Sequence, residues 1–390
     1  MIRYSKKIFW FFLSMLIATG AFSQQRTTYA EDMPGKITGV GPDVIYKRID
    51  AVKNFDRSKV PSLKKCIAEQ LKIFYADPLF HPPKGFIAQT GFHTEKDPFA
   101  KSVALPPCVL SFGFYYLEND KRNGGVKKSM DGTLMGMETN NLSHFFRQVG
   151  NYWKDCDELK LPLFFEEPPV SDSTDDYIEL DFNNYAAPHI TPDKPFRIVL
   201  RNNRPLFVPL ARKEFMQYLV AKKELEIKQQ QKSIEDDEKT IDEQKKLLSD
   251  PVFQKQRQMI ADGIEQIKKN ISKENDDIQL KQQMLAHYKE IMTSMPSAEA
   301  DAPVRIDYSK HAFEDPFQAL VPIGRHEGTG LYKINPDYYD RSTAASGAQV
   351  IIVYYTLPRN FGPAELNYLE QKTVDIFNHL DYHALKMSMQ

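Results

Sequence analysis

Residues 212–249, RKEFMQYLVAKKELEIKQQQKSIEDDEKTIDEQKKLLS, and residues 251–295, PVFQKQRQMIADGIEQIKKNISKENDDIQLKQQMLAHYKEIMTSM, decide the architecture of this chain. In the first stretch an apolar residue returns every seventh position, at Val220, Ile227, Ile234, Ile241 and Leu248. In the second the same row is Ile264, Ile271, Ile278, Leu285 and Met292. Heptad spacing keeps such a row on one face of a slightly underwound helix. The second stretch adds Ile260, Ile267 and Tyr288 in an offset row, broken at Glu274 and Lys281; the first has only polar residues there. Pro251 is tolerated in a first helical turn but not in an interior, and Ser249 or Asp250 supplies a cap, so the two helices part at residues 249–251. A short connection favours antiparallel neighbours. One register then sets Ile241 beside Ile264, Ile234 beside Ile271, Ile227 beside Ile278 and Val220 beside Leu285. Each limb of about 35 residues reaches roughly 50 Å. Glu, Lys and Gln fill the remaining circumference, which predicts an arm standing in solvent rather than two helices lying flat.

The chain begins Met-Ile-Arg-Tyr-Ser-Lys-Lys and continues into an apolar run over residues 8–22. A basic start, a short apolar core and small residues at Ala21 and Ser23 describe a secretory signal peptide of residues 1–23, cut before Gln24. The expected location is the periplasm or the cell exterior, and nothing later in the sequence is apolar for long enough to span a bilayer. Three cysteines follow, Cys66, Cys108 and Cys156, and an odd number cannot all pair within one chain. Cys66 sits in a helical pattern with Leu63, Ile67, Leu71 and Phe74 and reads as a buried apolar group. A Cys108–Cys156 bridge is the pairing an oxidising compartment would allow.

A formal net charge of -1, with no basic stripe, argues against nucleic acid as a partner. Aromatic residues, 12 % of the chain, are nearly absent from the two limbs and so mark the flanking parts as globular. In those parts residues 61–75 read as a helix and residues 42–55 as a weaker one. Residues 85–94, 108–117, 177–182 and 348–357 read as strands, residues 196–200 and 206–210 as a hairpin around Asn202-Asn203, and residues 142–153 as a short helix. Residues 119–133, charged and carrying Gly124-Gly125, read as a long loop, residues 298–303 as a linker, and Gly362-Pro363 as the start of a helix with Leu366, Leu369, Phe377 and Leu380 on one face. The strongest strand is Gln349 to Tyr355, apolar on both faces and therefore covered on both. The expected fold class is α+β: a mixed or antiparallel sheet with packed helices, interrupted by a long antiparallel coiled-coil hairpin. Residues 24–211 form the first part of the body, 212–297 the arm, and 298–390 the second part, which rejoins the first.

The remaining motifs give little chemistry. His326-Glu327, within Arg-His-Glu-Gly-Thr-Gly, is the densest polar cluster outside the limbs and the candidate polar site, against a solvated turn as the plain alternative. Asp172, Asp175 and Asp176 offer oxygen ligands for calcium but lack an EF-hand glycine and its terminal glutamate, so an acidic loop is the better reading. Glu166 and Glu167, adjacent on an extended chain, point to opposite sides and cannot flank one bond. There is no HExxH, no G-x-S-x-G elbow, no P-loop and no dinucleotide fingerprint, and no cofactor is expected. The favoured function is an exported, non-enzymatic binding or scaffolding protein that engages a protein partner through the arm, with Ile227, Ile234 and Ile241 as the contact row. The thin first limb also leaves room for a second copy, which makes a homodimer through the arm an alternative. Two further alternatives are an exported hydrolase with its site in the aromatic-rich body, and a periplasmic adaptor-like component of an export pump. The last resembles those adaptors in architecture alone: Arg212–Phe215 and Ala302–Ile306, which flank the arm, are not Gly- and Val-rich lipoyl halves.

Overall fold

Val350–Thr356, reading Val-Ile-Ile-Val-Tyr-Tyr-Thr, alternates its side chains between two separate cores. Ile351, Val353 and Tyr355 enter one, Val350, Ile352 and Tyr354 the other. A strand with both faces buried has to be apolar throughout, and this one is.

The computed structural model describes residues 30–38, 57–94, 105–120, 124–149, 156–159, 161–182, 195–310, 316–340, 342, 347–357 and 367–389. In chain order the elements are β1 (Lys36–Thr38), α1 (Val60–Ala76), β2 (Phe86–Thr94), β3 (Cys108–Asp120), β4 (Gly125–Thr139), α2 (Ser143–Gln148), β5 (Phe164–Glu166), β6 (Val170–Ser173), β7 (Ile178–Leu180), β8 (Phe196–Leu200), β9 (Phe207–Pro209), α3 (Arg212–Ser249), α4 (Arg257–Ser294), β10 (Arg305–Ile306), β11 (Thr329–Ile334), β12 (Val350–Thr356), α5 (Tyr368–His379) and α6 (Tyr382–Ser388). Eight strands form one mixed sheet in the order β1-β2-β3-β4-β12-β8-β7-β6, with only β1 and β2 parallel. A second, smaller sheet runs β10-β11-β5, and β9 also pairs with β11. The protein is thus mixed α+β, with a strand from beyond the two long helices, β12, hydrogen-bonded between β4 and β8.

On one face of the large sheet lie α1, α5 and α6. Leu63, Ile67, Leu71 and Phe74 form the buried stripe of α1, and Phe74 stacks on Phe112 of β3. The other face carries Phe145 of α2, Phe165 of β5 and Tyr338. Gly136 of β4 lies opposite Tyr354, and a Cβ there would fall 2.2 Å from the tyrosine ring. The missing side chain lets the ring lie flat over the strand.

The helices α3 and α4, 38 residues each, pack along one another. Polar contacts between them run in reverse sequence order: Glu224 pairs with Lys289 at 2.6 Å, Gln230 meets Asp277 at 3.0 Å, and the Gln244 side chain lies over Gly263. The turn between them is a 3-10 helix, Pro251–Gln256, whose first amides are capped by the Asp250 carboxylate accepting from Val252 N. The second helix therefore starts at Arg257, later than Pro251 alone suggests.

Several expectations are corrected. Residues 119–120 and 125–133 are strand rather than loop: β3 and β4 continue as a ladder out to Asp120 and Gly125, because the register set by the buried half is propagated outward and Lys127 finds Glu118 across the strands at 3.8 Å. The 196–200 and 206–210 segments do not pair with each other. β8 joins the large sheet and β9 the small one, with the Asn202 carboxamide accepting from Arg204 N to turn the chain away. The last long helix begins at Asn367, which caps it in a reciprocal box with Glu370, rather than at Gly362-Pro363, outside the described residues. The 142–153 helix is six residues, Ser143–Gln148, and the 298–303 linker begins with a helical turn, Ser297–Ala300. Cys108 and Cys156 are free and lie in different cores, so they form no bridge. The expected signal peptide and the helix at residues 42–55 lie outside the described residues. No described helix is long and apolar enough to cross a membrane.

Candidate functional site

The helical pair is built in three parts with different chemistry. At its base, Phe215, Met216, Tyr218, Leu219 and Val220 of α3 and Tyr288 of α4 are buried with Phe164, Leu331, Val304 and Ile306 of the small sheet. Apolar burial of this extent is what holds a long helix in place, since its own propensity is marginal. Polar contacts add direction. Glu214 accepts from Ala211 N and pairs with Lys333 of β11, while Arg212 meets Glu299 at 3.3 Å.

Beyond the base, burial shrinks to one side. Ile227 and Ile241 of α3, and Ile264 and Ile278 of α4, are the only other buried side chains on the two helices, and Ile234 and Ile271 are half-buried. The row Ile227, Ile234, Ile241 is therefore turned into the helical pair and does not form an open face. The interruption at Glu274 and Lys281 is met by Gln230. Its amide donates to the Glu274 carbonyl at 3.2 Å and to Asp277 at 3.0 Å, and its oxygen accepts from Lys281 at 2.8 Å. A polar layer of this kind fits one register and penalises others.

At the far turn the chemistry changes again. Val252 is 82 % exposed, Met259 67 % and Leu247 38 %, with Phe253 half-buried among them. Lys246, Lys255 and Arg257 are exposed around them. Single exposed apolar residues are ordinary; here Val252 in the turn is flanked by Leu247 at the end of α3 and Met259 at the start of α4.

His326 and Glu327 lie in an exposed turn before β11. The Glu327 carboxylate is 3.8 Å from Arg325 and its carbonyl accepts from Arg305, contacts that shape a turn. Asp172 lies in β6, and Thr174 turns the next residues by accepting from Asp176 N and Tyr177 N. Asp176 then meets His383 of α6 at 2.9 Å, and Lys386 donates to the Asp175 carbonyl. Thr174, Asp175, Asp176, Tyr177 and Lys386, with Asn202, Asn203 and Arg204, line an open cavity of about 310 Å³. Among the described residues no group of three or more His, Cys, Asp or Glu side chains could hold a metal ion. Glu166 is buried beside Tyr308, and burial together with that carboxylate pushes the phenol's pKa up. Glu167 faces the other way, accepting from Tyr332 at 3.2 Å.

Two polar arrangements escaped the sequence. Arg197 of β8 is held by Glu179 at 2.8 Å, by the Phe377 carbonyl and by Asn378, with the rings of Tyr177, Phe377 and Tyr382 around its guanidinium. It ties the C-terminal helices to the sheet. His144 of α2 is buried, stacked on Tyr354 at 3.7 Å, and its Nε2 has no hydrogen-bond partner. Burial pulls its pKa down to about 3, helped by nearby Arg147. The one pattern at either position is an isolated His or Arg in an apolar segment, which does not say what will surround it.

Compared with protein-family models, with curated proteins and with solved structures, the chain has no match.

Proposed function

We propose that this chain is an exported, non-enzymatic scaffold in which residues 212–297 form an antiparallel coiled-coil arm set into one discontinuous body made of residues 24–211 and 298–390, and that the arm carries the contact with a macromolecular partner. The observation that carries this reading is the distribution of burial along α3 and α4. Five of the six residues 215–220, all but Gln217, are buried, and only Ile227 and Ile241 follow on α3. A helix docked flat would bury a stripe along its whole length. At ~1.5 Å per residue, each helix of 38 residues extends about 57 Å. With Ile227, Ile234 and Ile241 turned inward, they hold the arm together, and partner contact falls to the surfaces that remain.

Small-angle scattering combined with site-specific photo-crosslinking tests this. Removing residues 228–241 together with 264–277 shortens both limbs by two heptads while keeping base, register and turn. The expected result is a maximal dimension smaller by about 21 Å at ~1.5 Å per residue, and loss of crosslinks to a partner formed from the limb at position 280, which is exposed in the intact chain. A dimension unchanged by the deletion, or crosslinks formed equally from Met387 on the body, would refute the proposal.

A further inference from the structure

We infer that the turn at the far end of α3 and α4 is a docking tip for an anionic lipid surface. This rests on the arm reading above, which puts that turn farthest from the body. Charge is sorted along the helical pair. Residues 246–259 carry three cations, Lys246, Lys255 and Arg257, against one carboxylate, Asp250. Residues 212–245 carry eight cations against nine carboxylates, and residues 260–295 five against six. The positive excess is thus confined to the turn, in a chain whose net charge is -1.

The partners of these charges sharpen the point. Along the limbs several lysines are paired internally, Lys239 with Asp236, Lys245 with Asp242, Lys268 with Glu265 and Lys281 with Asp277, although Lys213, Lys228, Lys232, Lys269 and Lys273 have no ion pair among the described residues. Asp250, the one carboxylate of the turn, is occupied by Val252 N. Lys246, Lys255 and Arg257 have no ion-pair partner among the described residues and are free to meet an outside anion.

Between them stand Val252 and Met259, the two most exposed large apolar side chains of the described residues, with Leu247 beside them. The 3-10 turn lifts Val252 outward: Pro251 fixes its first residue and the Asp250 cap holds the start. The exposed apolar side chains and the unpaired cations thus fall within one stretch of the chain, residues 246–259, around the turn. A rigid protein partner would need a matching shape. A fluid bilayer interface accepts any shape, burying apolar groups at the acyl boundary while cations sit among anionic headgroups. The arrangement is that of a peripheral contact, with too few apolar groups to span a bilayer.

The test uses the chain beginning at Gln24, so that the apolar run at residues 8–22 takes no part, floated with vesicles of phosphatidylcholine alone or of phosphatidylcholine mixed with phosphatidylglycerol. The expected result is association with the anionic vesicles only, weakened by salt. Lys255→Gln with Arg257→Gln should lower partitioning about 30-fold, at roughly fivefold for each cation near an anionic surface. Val252→Ser with Met259→Ser should lower it at least about tenfold. Scattering on the same samples reads the arm separately. An extended particle that ignores anionic vesicles, binds both lipids equally, or binds undiminished after either pair of tip substitutions overturns the docking tip and leaves the arm standing. A compact particle overturns both. Tip-dependent capture of a protein in the absence of any vesicle binding also refutes the lipid assignment.

Discussion

His144 should make the body acid-labile, and one substitution should remove most of the effect. Its ring is sealed between Tyr354, stacked at 3.7 Å, and Phe196, edge-on at 5.1 Å, with Nε2 bonded to nothing. A proton added there would sit in a buried, largely apolar setting, and burial, with the nearby Arg147 charge, pulls its pKa from 6.5 down to about 3. In the unfolded chain the ring titrates normally. Between the two values the unfolded state binds the proton and the folded state does not, so the neutral ring's contribution is complete above about pH 6.5 and is lost progressively as pH falls. Integrated from pH 7 to pH 5, the loss is about 2 kcal/mol. Urea unfolding followed by near-ultraviolet circular dichroism, for the native sequence and His144→Phe at both pH values, isolates it. Other titrating groups cancel in the difference, and phenylalanine keeps the stack. The native sequence should lose about 2 kcal/mol more than the variant. Equal losses to within about 0.5 kcal/mol would refute the reasoning, since a shift of one pKa unit is worth ~1.4 kcal/mol.

Three further outcomes are expected. Arg197→Lys cannot reproduce a guanidinium fork that reaches Glu179, Asn378 and a carbonyl together, so it should destabilise by about 2–3 kcal/mol and expose residues 367–389 to protease before the rest; unchanged protection would contradict the clamp. The Cys66 thiol is pushed up to about 12 by burial and burial raises Cys108 as well, so neither should alkylate at pH 8 in the native state, while both react in urea. Ile241→Ala removes a buried contact of the helical pair and should cost about 2 kcal/mol in helix unfolding, seen at 222 nm, with the near-ultraviolet signal of the body unmoved.

The sequence made the helical pair plain because heptads repeat over both limbs and Asp250-Pro251 breaks them. The central strand was plain because six successive apolar residues at 350–355 leave it no exposed face. The outer part of β3 and β4 was not plain, since Lys127, Lys128 and Asp120 look like loop residues until a partner strand is known. Strand partners in general lay beyond local pattern: β8 and β9 are near neighbours in sequence but belong to different sheets. Of the candidate site residues, Ile227 and Ile241 proved to be interior, and His326-Glu327 a turn. The exposed Val252 and Met259 drew no attention because periodicity speaks of faces within a helix and is silent about a turn between two.

The placement of β12 has a consequence for biogenesis. Its partners β4 and β8 are separated from it by more than 200 and about 150 residues respectively, so neither gains its neighbour until nearly the whole polypeptide has emerged. Until then two naked strand edges face each other across a gap. A nonsense mutation anywhere upstream of Val350 should therefore yield no half-functional fragment but a sticky one, cleared by proteolysis or lost to inclusion bodies.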